Sequence, residues 1–278
     1  MPSRRVTYRV AYLVTYRVAI SVPITSEEYQ VSDRAEPMTV DDGSADVERI
    51  LIVTAHPDDV DFAAAGSVAT WTARGIDVAY CIVTDGDAGG SDHSITRPEM
   101  AAIRRQEQLE AARAVGVTDV NFLGFPDGRV VADLELRAAI SRVIRIVRPD
   151  RVVCQSPERN WERIYASHPD HLAAAEAAAC AVYPDARNPF AFPELLAEGL
   201  AEHTVPEMWV MATERANRVV DVTDVYEQKL DALKSHRSQV GEGEHLDELL
   251  RNWMSGTASA AGLPDGRLAE AFHAVNTA

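Results

Sequence analysis

Short apolar runs recurring between helix-like segments restrict the fold of this chain more than any other feature. Ile50-Leu51-Ile52-Val53 is apolar at every consecutive position, so a strand through it must be covered on both faces. Residues 77–84, 119–123 and 151–155 read as further strands. Between them lie segments with helix punctuation: 62–74 stops at Gly75, 98–115 closes at Gly116, and 133–147 is halted by Pro149. This alternation predicts an α/β domain built on a mainly parallel, Rossmann-like sheet, with helices on both faces and right-handed crossovers. Ligands of such sheets bind beyond the carboxyl ends of the strands. The loops opening at His56, Asp85, Gly124 and Ser156 are therefore expected to converge on one crevice.

Further along, 169–182 reads as an Ala-rich helix, 207–212 and 218–222 as short strands, and 225–235 as a helix. One or two helices packed on the outside are expected after Gly241. The first 47 residues differ from the rest: Val6-Thr7-Tyr8-Arg9-Val10-Ala11 recurs as Val14-Thr15-Tyr16-Arg17-Val18-Ala19, with apolar residues alternating at the strand period. An added edge strand or interface arm is one reading, and a disordered extension the other. The polar, acidic stretch 27–47 favours the extension. The expected organisation is thus an extension over 1–47 and a single α/β domain over 48–278.

Charge and cysteine usage narrow the partners. Lys and Arg number 27 against 43 Asp and Glu, a formal net charge of −16, which argues against broad contact with a nucleic-acid backbone. Cys81, Cys154 and Cys180 form no CxxC pair and are odd in number, so a cytoplasmic, reducing location is expected. The nearest approach to a membrane segment, 6–24, carries Arg9 and Arg17 within it, so neither stable insertion nor a signal peptide is expected. Self-association into a homo-oligomer is left open.

Two segments carry chemistry. Thr54-Ala55-His56-Pro57-Asp58-Asp59-Val60-Asp61 lies where a buried strand ends and a helix begins. Imidazole and carboxylate together at such a point suit a divalent metal such as Zn²⁺. The competing reading makes Asp58 and Asp59 helix caps, which explains one aspartate but not the pair with a histidine. His168-Pro169-Asp170-His171 repeats the same logic after a later strand, with Pro169 suited to the first helical position. Either histidine alone fits a solvated helix start; both segments at two strand ends of one sheet point to a metal site.

With these motifs the sequence resembles the LmbE-like, or PIG-L, zinc-dependent de-N-acetylases. These include enzymes acting on N-acetylglucosaminyl-phosphatidylinositol and on mycothiol and bacillithiol precursors. The likeness extends through Val83-Thr84-Asp85-Gly86, Arg104-Arg105-Gln106-Glu107, Gly124-Phe125-Pro126-Asp127-Gly128 and His236-Arg237-Ser238-Gln239. It implies one Zn²⁺ or another divalent ion held by His56, Asp59 and His171, with Asp58 as general base. It also implies His168 as the group facing the tetrahedral oxyanion, when protonated, and Asp170 as the residue that orients or charges that imidazole. Arg104 and Asp127 match positions that contact sugar hydroxyls, although a solvated helix arginine and a simple Asp-Gly turn are their local alternatives. The implied substrate is a small amino sugar conjugate of the N-acetylglucosamine type, losing its acetyl group to a zinc-activated water.

The sequence departs from the family at Asp61, where glutamate is common, at Ala63, where glycine is frequent, and near Tyr165, which sits out of register with a family tyrosine. His236 reads as a helix-end residue rather than a rim residue. The loop Thr84-Asp85-Gly86-Asp87-Ala88-Gly89-Gly90-Ser91 lacks the order of a phosphate cradle and reads as a flexible rim. Trp161 is the tryptophan best placed for a pocket wall. Two other functions remain: an amidase acting on a thiol conjugate or other non-sugar amide, and a non-catalytic sugar or nucleotide binding module. The missing glycine-rich fingerprint weighs against the last.

Overall fold

The computed structural model describes residues 38–41, 47–90, 92–241 and 245–278. The N-terminal repeat lies outside the described residues. Eight strands make one sheet: β1 (Thr39–Val40), β2 (Arg49–Thr54), β3 (Asp77–Thr84), β4 (Asp119–Phe125), β5 (Arg151–Gln155), β6 (Glu207–Met211), β7 (Arg218–Asp221) and β8 (Ala269–Asn276). The order across the sheet is β1-β7-β8-β6-β5-β2-β3-β4. All pairings are parallel except those of β8, which runs antiparallel to β6 and β7. The helices are α1 (Asp59–Ala73), α2 (Arg97–Ala114), α3 (Leu134–Val147), α4 (Pro169–Cys180), α5 (Pro193–Ala197), α6 (Tyr226–Ser235), α7 (Arg237–Val240) and α8 (Leu246–Ala260). None in the described residues is long and apolar enough to cross a membrane.

Local chemistry sets these boundaries. The Thr96 and Glu99 side chains close a capping box at the start of α2, with Pro98 in its first turn. Asp133 accepts a hydrogen bond from the Leu136 N–H to open α3. Alternate residues of each buried strand then feed two cores. Ile50, Ile52, Tyr80 and Ile82 pack on one face against Val68 and Trp71 of α1 and Leu230 and Leu233 of α6. Leu51, Val53, Cys81 and Val83 pack on the other against Leu136 and Ile140 of α3 and Ala174, Ala177 and Ala178 of α4.

The segment after Gly241 departs from expectation. It contributes one helix, α8, and then the strand β8, which is inserted between β6 and β7. Ala and Glu at 269–271 carry helical propensity, so the local pattern hides the strand. What makes it a strand is pairing on both sides, with the buried Glu270 carboxylate met by Lys229 of α6 at 2.7 Å.

The topology also locates the crevice. From β2 the chain steps to β3 and β4 on one side, then returns to β5 and β6 on the other. The loops leaving β2 and β5 diverge at this reversal and open a cleft between them.

Candidate metal centre

The chain leaves β2 through His56 and Pro57 and enters α1 at Asp58. This residue occupies the N-cap position with φ 92°, a left-handed conformation unusual for a side-chain-bearing residue, and its carboxylate makes no capping bond. Arg104, buried on α2, instead donates from Nη2 to Asp58 Oδ2 (3.1 Å) and to the Pro57 carbonyl (2.6 Å). Its Nη1 donates to the Gly86 carbonyl at 3.1 Å. A Cβ on Gly86 would lie 2.5 Å from that Nη1 and one on Gly89 closer still, so these glycines admit the guanidinium. The glycine loop thus grips Arg104, which corrects its reading as a flexible rim. Asp59 turns the other way, its Oδ2 accepting the His56 N–H at 2.7 Å.

The loop after β5 brings in the second motif. His168 caps α4 through Nδ1, which accepts the Asp170 N–H at 3.2 Å. His171 donates from Nδ1 to the Ala166 carbonyl (3.3 Å), which leaves the Nε2 lone pair facing the crevice. That Nε2 is 3.0 Å from Asp59 Oδ1 and 3.2 Å from His56 Nδ1, and His56 Nδ1 is 3.4 Å from Asp59 Oδ2. A tetrahedral ion with bonds of about 2.0–2.1 Å has donor atoms about 3.3 Å apart; the two imidazole nitrogens have this spacing, and Asp59 offers one oxygen to each of them. The donor types, two imidazole nitrogens and a carboxylate, fit a divalent metal of the zinc kind.

Two further aspartates stand behind His56. Its Nε2 faces Asp127 Oδ1 at 3.2 Å and Asp170 Oδ2 at 3.3 Å. Asp127 Oδ2 also accepts the Ala88 N–H, and Asp170 accepts the N–H groups of Gly128 (2.7 Å) and Val130 (3.2 Å). Donor atoms of His56, Asp127 and Asp170 lie within 4.8 Å of one another, as do those of His56, His168 and His171. The backbone bonds already satisfy the two carboxylates, so they act on His56: they hold its proton on Nε2 and aim the Nδ1 lone pair at Asp59 and His171. Asp170 is expected to orient or charge His168: its backbone N–H meets the ring at Nδ1, and its carboxylate charge acts on the imidazole in the raising direction, against burial.

Electrostatics follows the same division. Burial opposes a charge on His56, but hydrogen bonds with Asp127, Asp170 and Asp59 prevail and raise its pKa to about 12, so the surroundings favour positive charge at this point. Burial would lift Asp59, yet the charge and hydrogen bonds of His171 and His56 hold it well below the usual carboxylate range. Asp58 goes the opposite way: burial, aided by the Asp59 charge, raises it to about 7. Burial, together with the His56 charge, lowers the pKa of His168. Its Nδ1 accepts the Asp170 N–H, so in the neutral ring the proton sits on Nε2, which is then a donor.

Of the eight site residues named from sequence, the structure gathers all around one cleft, with Arg104 and Asp127 buried rather than solvated. The Tyr165 side chain lies outside those described. Sequence reasoning missed Gln108, whose amide reaches both Asp58 and Asp61; it placed His236 at a helix end, where the structure has it between α6 and α7, but did not find its partner. That histidine is fully buried, and its Nε2 donates to Asp61 at 2.8 Å. Its place in the His-Arg-Ser-Gln motif was the available signal.

An open, mainly parallel sheet with imidazoles and carboxylates clustered at its reversal point defines an α/β protein with a candidate metal site. The chain belongs to the GlcNAc-PI de-N-acetylase (PIG-L) family, whose model matches residues 51–182. It is 35% identical to a diacetylchitobiose deacetylase of Thermococcus kodakarensis over 201 residues, 71% of this chain and 72% of that one. It is 29% identical to the "Probable N-acetyl-alpha-D-glucosaminyl L-malate deacetylase 2" of Bacillus anthracis, covering 74% and 87% of the two chains. Among solved structures, N,N'-diacetylchitobiose deacetylase from Pyrococcus horikoshii, complexed with its inhibitor MPG, superposes with a TM-score of 0.77 at 30% identity, covering 84% of this chain and 85% of that one.

Proposed function

We propose that this protein is a metal-dependent hydrolase that removes the N-acetyl group from an N-acetylglucosamine-type amino sugar conjugate, with Zn²⁺ as its metal. The observation that carries this reading is the cluster of His56 Nδ1, Asp59 and His171 Nε2, separated by 3.0–3.4 Å. Relatives named as deacetylases of acetylated glucosamine compounds support the choice of substrate. A divalent ion held there supplies Lewis acidity and lowers the pKa of water to about 7.

The chain's own residues account for the proton traffic. Asp58 accepts a proton from the attacking water and delivers it to the departing amine nitrogen, a role suited to a carboxylate raised to about 7. His168 donates its Nε2–H to the oxygen that gains charge when the amide carbon becomes tetrahedral. Asp127 and Asp170 keep His56 in the tautomer that binds metal. Arg104 holds the Asp58 carboxylate in place. Its bonds to Asp58, Pro57 and Gly86 support this role. The free thiols of Cys81, Cys154 and Cys180 agree with a cytoplasmic location.

The test is acetate release from N,N'-diacetylchitobiose and from other N-acetylglucosamine conjugates by chelator-treated protein, before and after stoichiometric Zn²⁺. Activity is expected only after the metal is returned. Full turnover by the stripped protein would refute the reading, and release of a different acyl group from a non-sugar amide would favour the amidase alternative.

A further inference from the structure

The base proposed above stands in an unfavourable backbone conformation. A residue with a side chain at φ 92° persists only where its surroundings over-determine it. Three groups do so here. Arg104 holds the Asp58 carboxylate and the preceding carbonyl, and the Asp58 carbonyl accepts the N–H groups of Asp61 (2.9 Å) and Phe62 (3.0 Å) in the first turn of α1. The Asp58 N–H, which no helical partner can receive, is taken by the side-chain oxygen of Gln108 at 2.8 Å.

Gln108 lies on α2, fully buried, and its other end is equally constrained. Its Nε2 donates to Asp61 Oδ2 at 2.8 Å, and His236 Nε2 donates to the same oxygen at 2.8 Å. One end of this side chain must therefore accept and the other must donate, which only one orientation of a carboxamide satisfies. A glutamate would set its charge against the buried Asp61 carboxylate, and an aliphatic residue would leave the Asp58 N–H unpaired and Asp61 Oδ2 with His236 alone. Asp61 belongs to α1, Gln108 to α2, and His236 to the turn between α6 and α7, so the chain of bonds ties three helices to one peptide group.

We infer that Gln108 is a positioning residue for the reaction: locked by Asp61 and His236, its carboxamide holds the Asp58 N–H and thereby keeps the base in its left-handed conformation, aimed at the metal cluster. This rests on the assignment of Asp58 as the base. Gln108 touches neither metal ligand nor substrate, so its effect must pass through Asp58.

That dependence gives the test. Metal content, kcat and KM for acetate release from N,N'-diacetylchitobiose are measured for zinc-loaded wild type, Gln108→Met, Asp58→Asn and the double variant. Gln108→Met is expected to lower kcat by about tenfold to a hundredfold, with KM and zinc stoichiometry unchanged within about twofold. In the Asp58→Asn background the same change is expected to cost nothing further, because the group it positions has lost its role. An undiminished effect in that background, or a loss of zinc in parallel with activity, would identify Gln108 as a general structural element and overturn the inference. Gln108→Asn, one methylene shorter and unable to span both partners, is expected to repeat the kcat loss should the methionine variant fold poorly. Wild-type turnover by Asp58→Asn would instead remove the base assignment itself. Normal turnover by Gln108→Met alongside a slow Asp58→Asn removes only the role of Gln108.

Discussion

Asp58 and Asp59 are neighbours in sequence with the same side chain, yet their surroundings drive them apart. His171 and His56 keep Asp59 anionic, the state a metal ligand requires, whereas burial and the Asp59 charge lift Asp58 to about 7. Divergent environments of this kind separate acid-base roles at a single site. Asp58→Asn is accordingly expected to retain its metal, read by elemental analysis, while acetate release falls by about 10²–10⁴-fold. His171→Ala is expected to lose both metal and turnover, since it removes one of the three proposed ligands. A metal-free Asp58→Asn would contradict this division.

At the level of elements, α1 carries the proposed ligand Asp59 at its start and must sit close to the sheet and to α6. Gly66 makes room: a Cβ there would lie 2.8 Å from Val222 Cβ. Intrinsic helix propensity favours Ala over Gly by about 1 kcal/mol. Overpacking against a buried β-branched side chain costs about 1–3 kcal/mol, so the clash is expected to win. Gly66→Ala should therefore lower the midpoint of urea unfolding, and an increase would show that α1 can shift outward. Lys229 anchors the same helix from α6, donating to the carbonyls of Asp61 (2.8 Å) and Phe62 (2.7 Å) and to Glu270 of β8 (2.7 Å). Glu270 in turn accepts the N–H groups of Gly66 and Ser67.

For the molecule as a whole, the proposed ligands arrive from two distant parts of the chain. His56 and Asp59 follow β2, and His171 follows β5, so an ion shared among them binds the folded sheet and has no comparable site in the unfolded chain. Free Zn²⁺ at about 100 times its dissociation constant stabilises such a fold by about 2.7 kcal/mol. For a domain of this size that corresponds to a rise in Tm of about 5–10 °C. Differential scanning fluorimetry with and without zinc should show this rise in the wild type and its absence in His171→Ala. An unchanged Tm in the wild type would remove the basis for a metal centre.

Local signals were enough for much of the architecture and for both halves of the site. Strands buried on two faces must be apolar at every position, as Ile50-Leu51-Ile52-Val53 is, and the Gly75, Gly116 and Pro149 stops are chemistry within a single turn. The two His-Pro segments are short because each occupies one strand-to-helix turn, where neighbouring residues suffice to declare a donor set. The strand β8 was hidden, because Ala269 and Glu270 prefer a helix until β6, β7 and Lys229 supply their partners. The partners of Asp170 and Asp61 were hidden as well. Asp170 meets His56 across 114 residues, and Asp61 meets His236 across 175. A hydrogen bond between residues so far apart leaves no periodic trace along the chain, so only the packing of α1, α2 and α6 on the sheet decides which polar groups face one another.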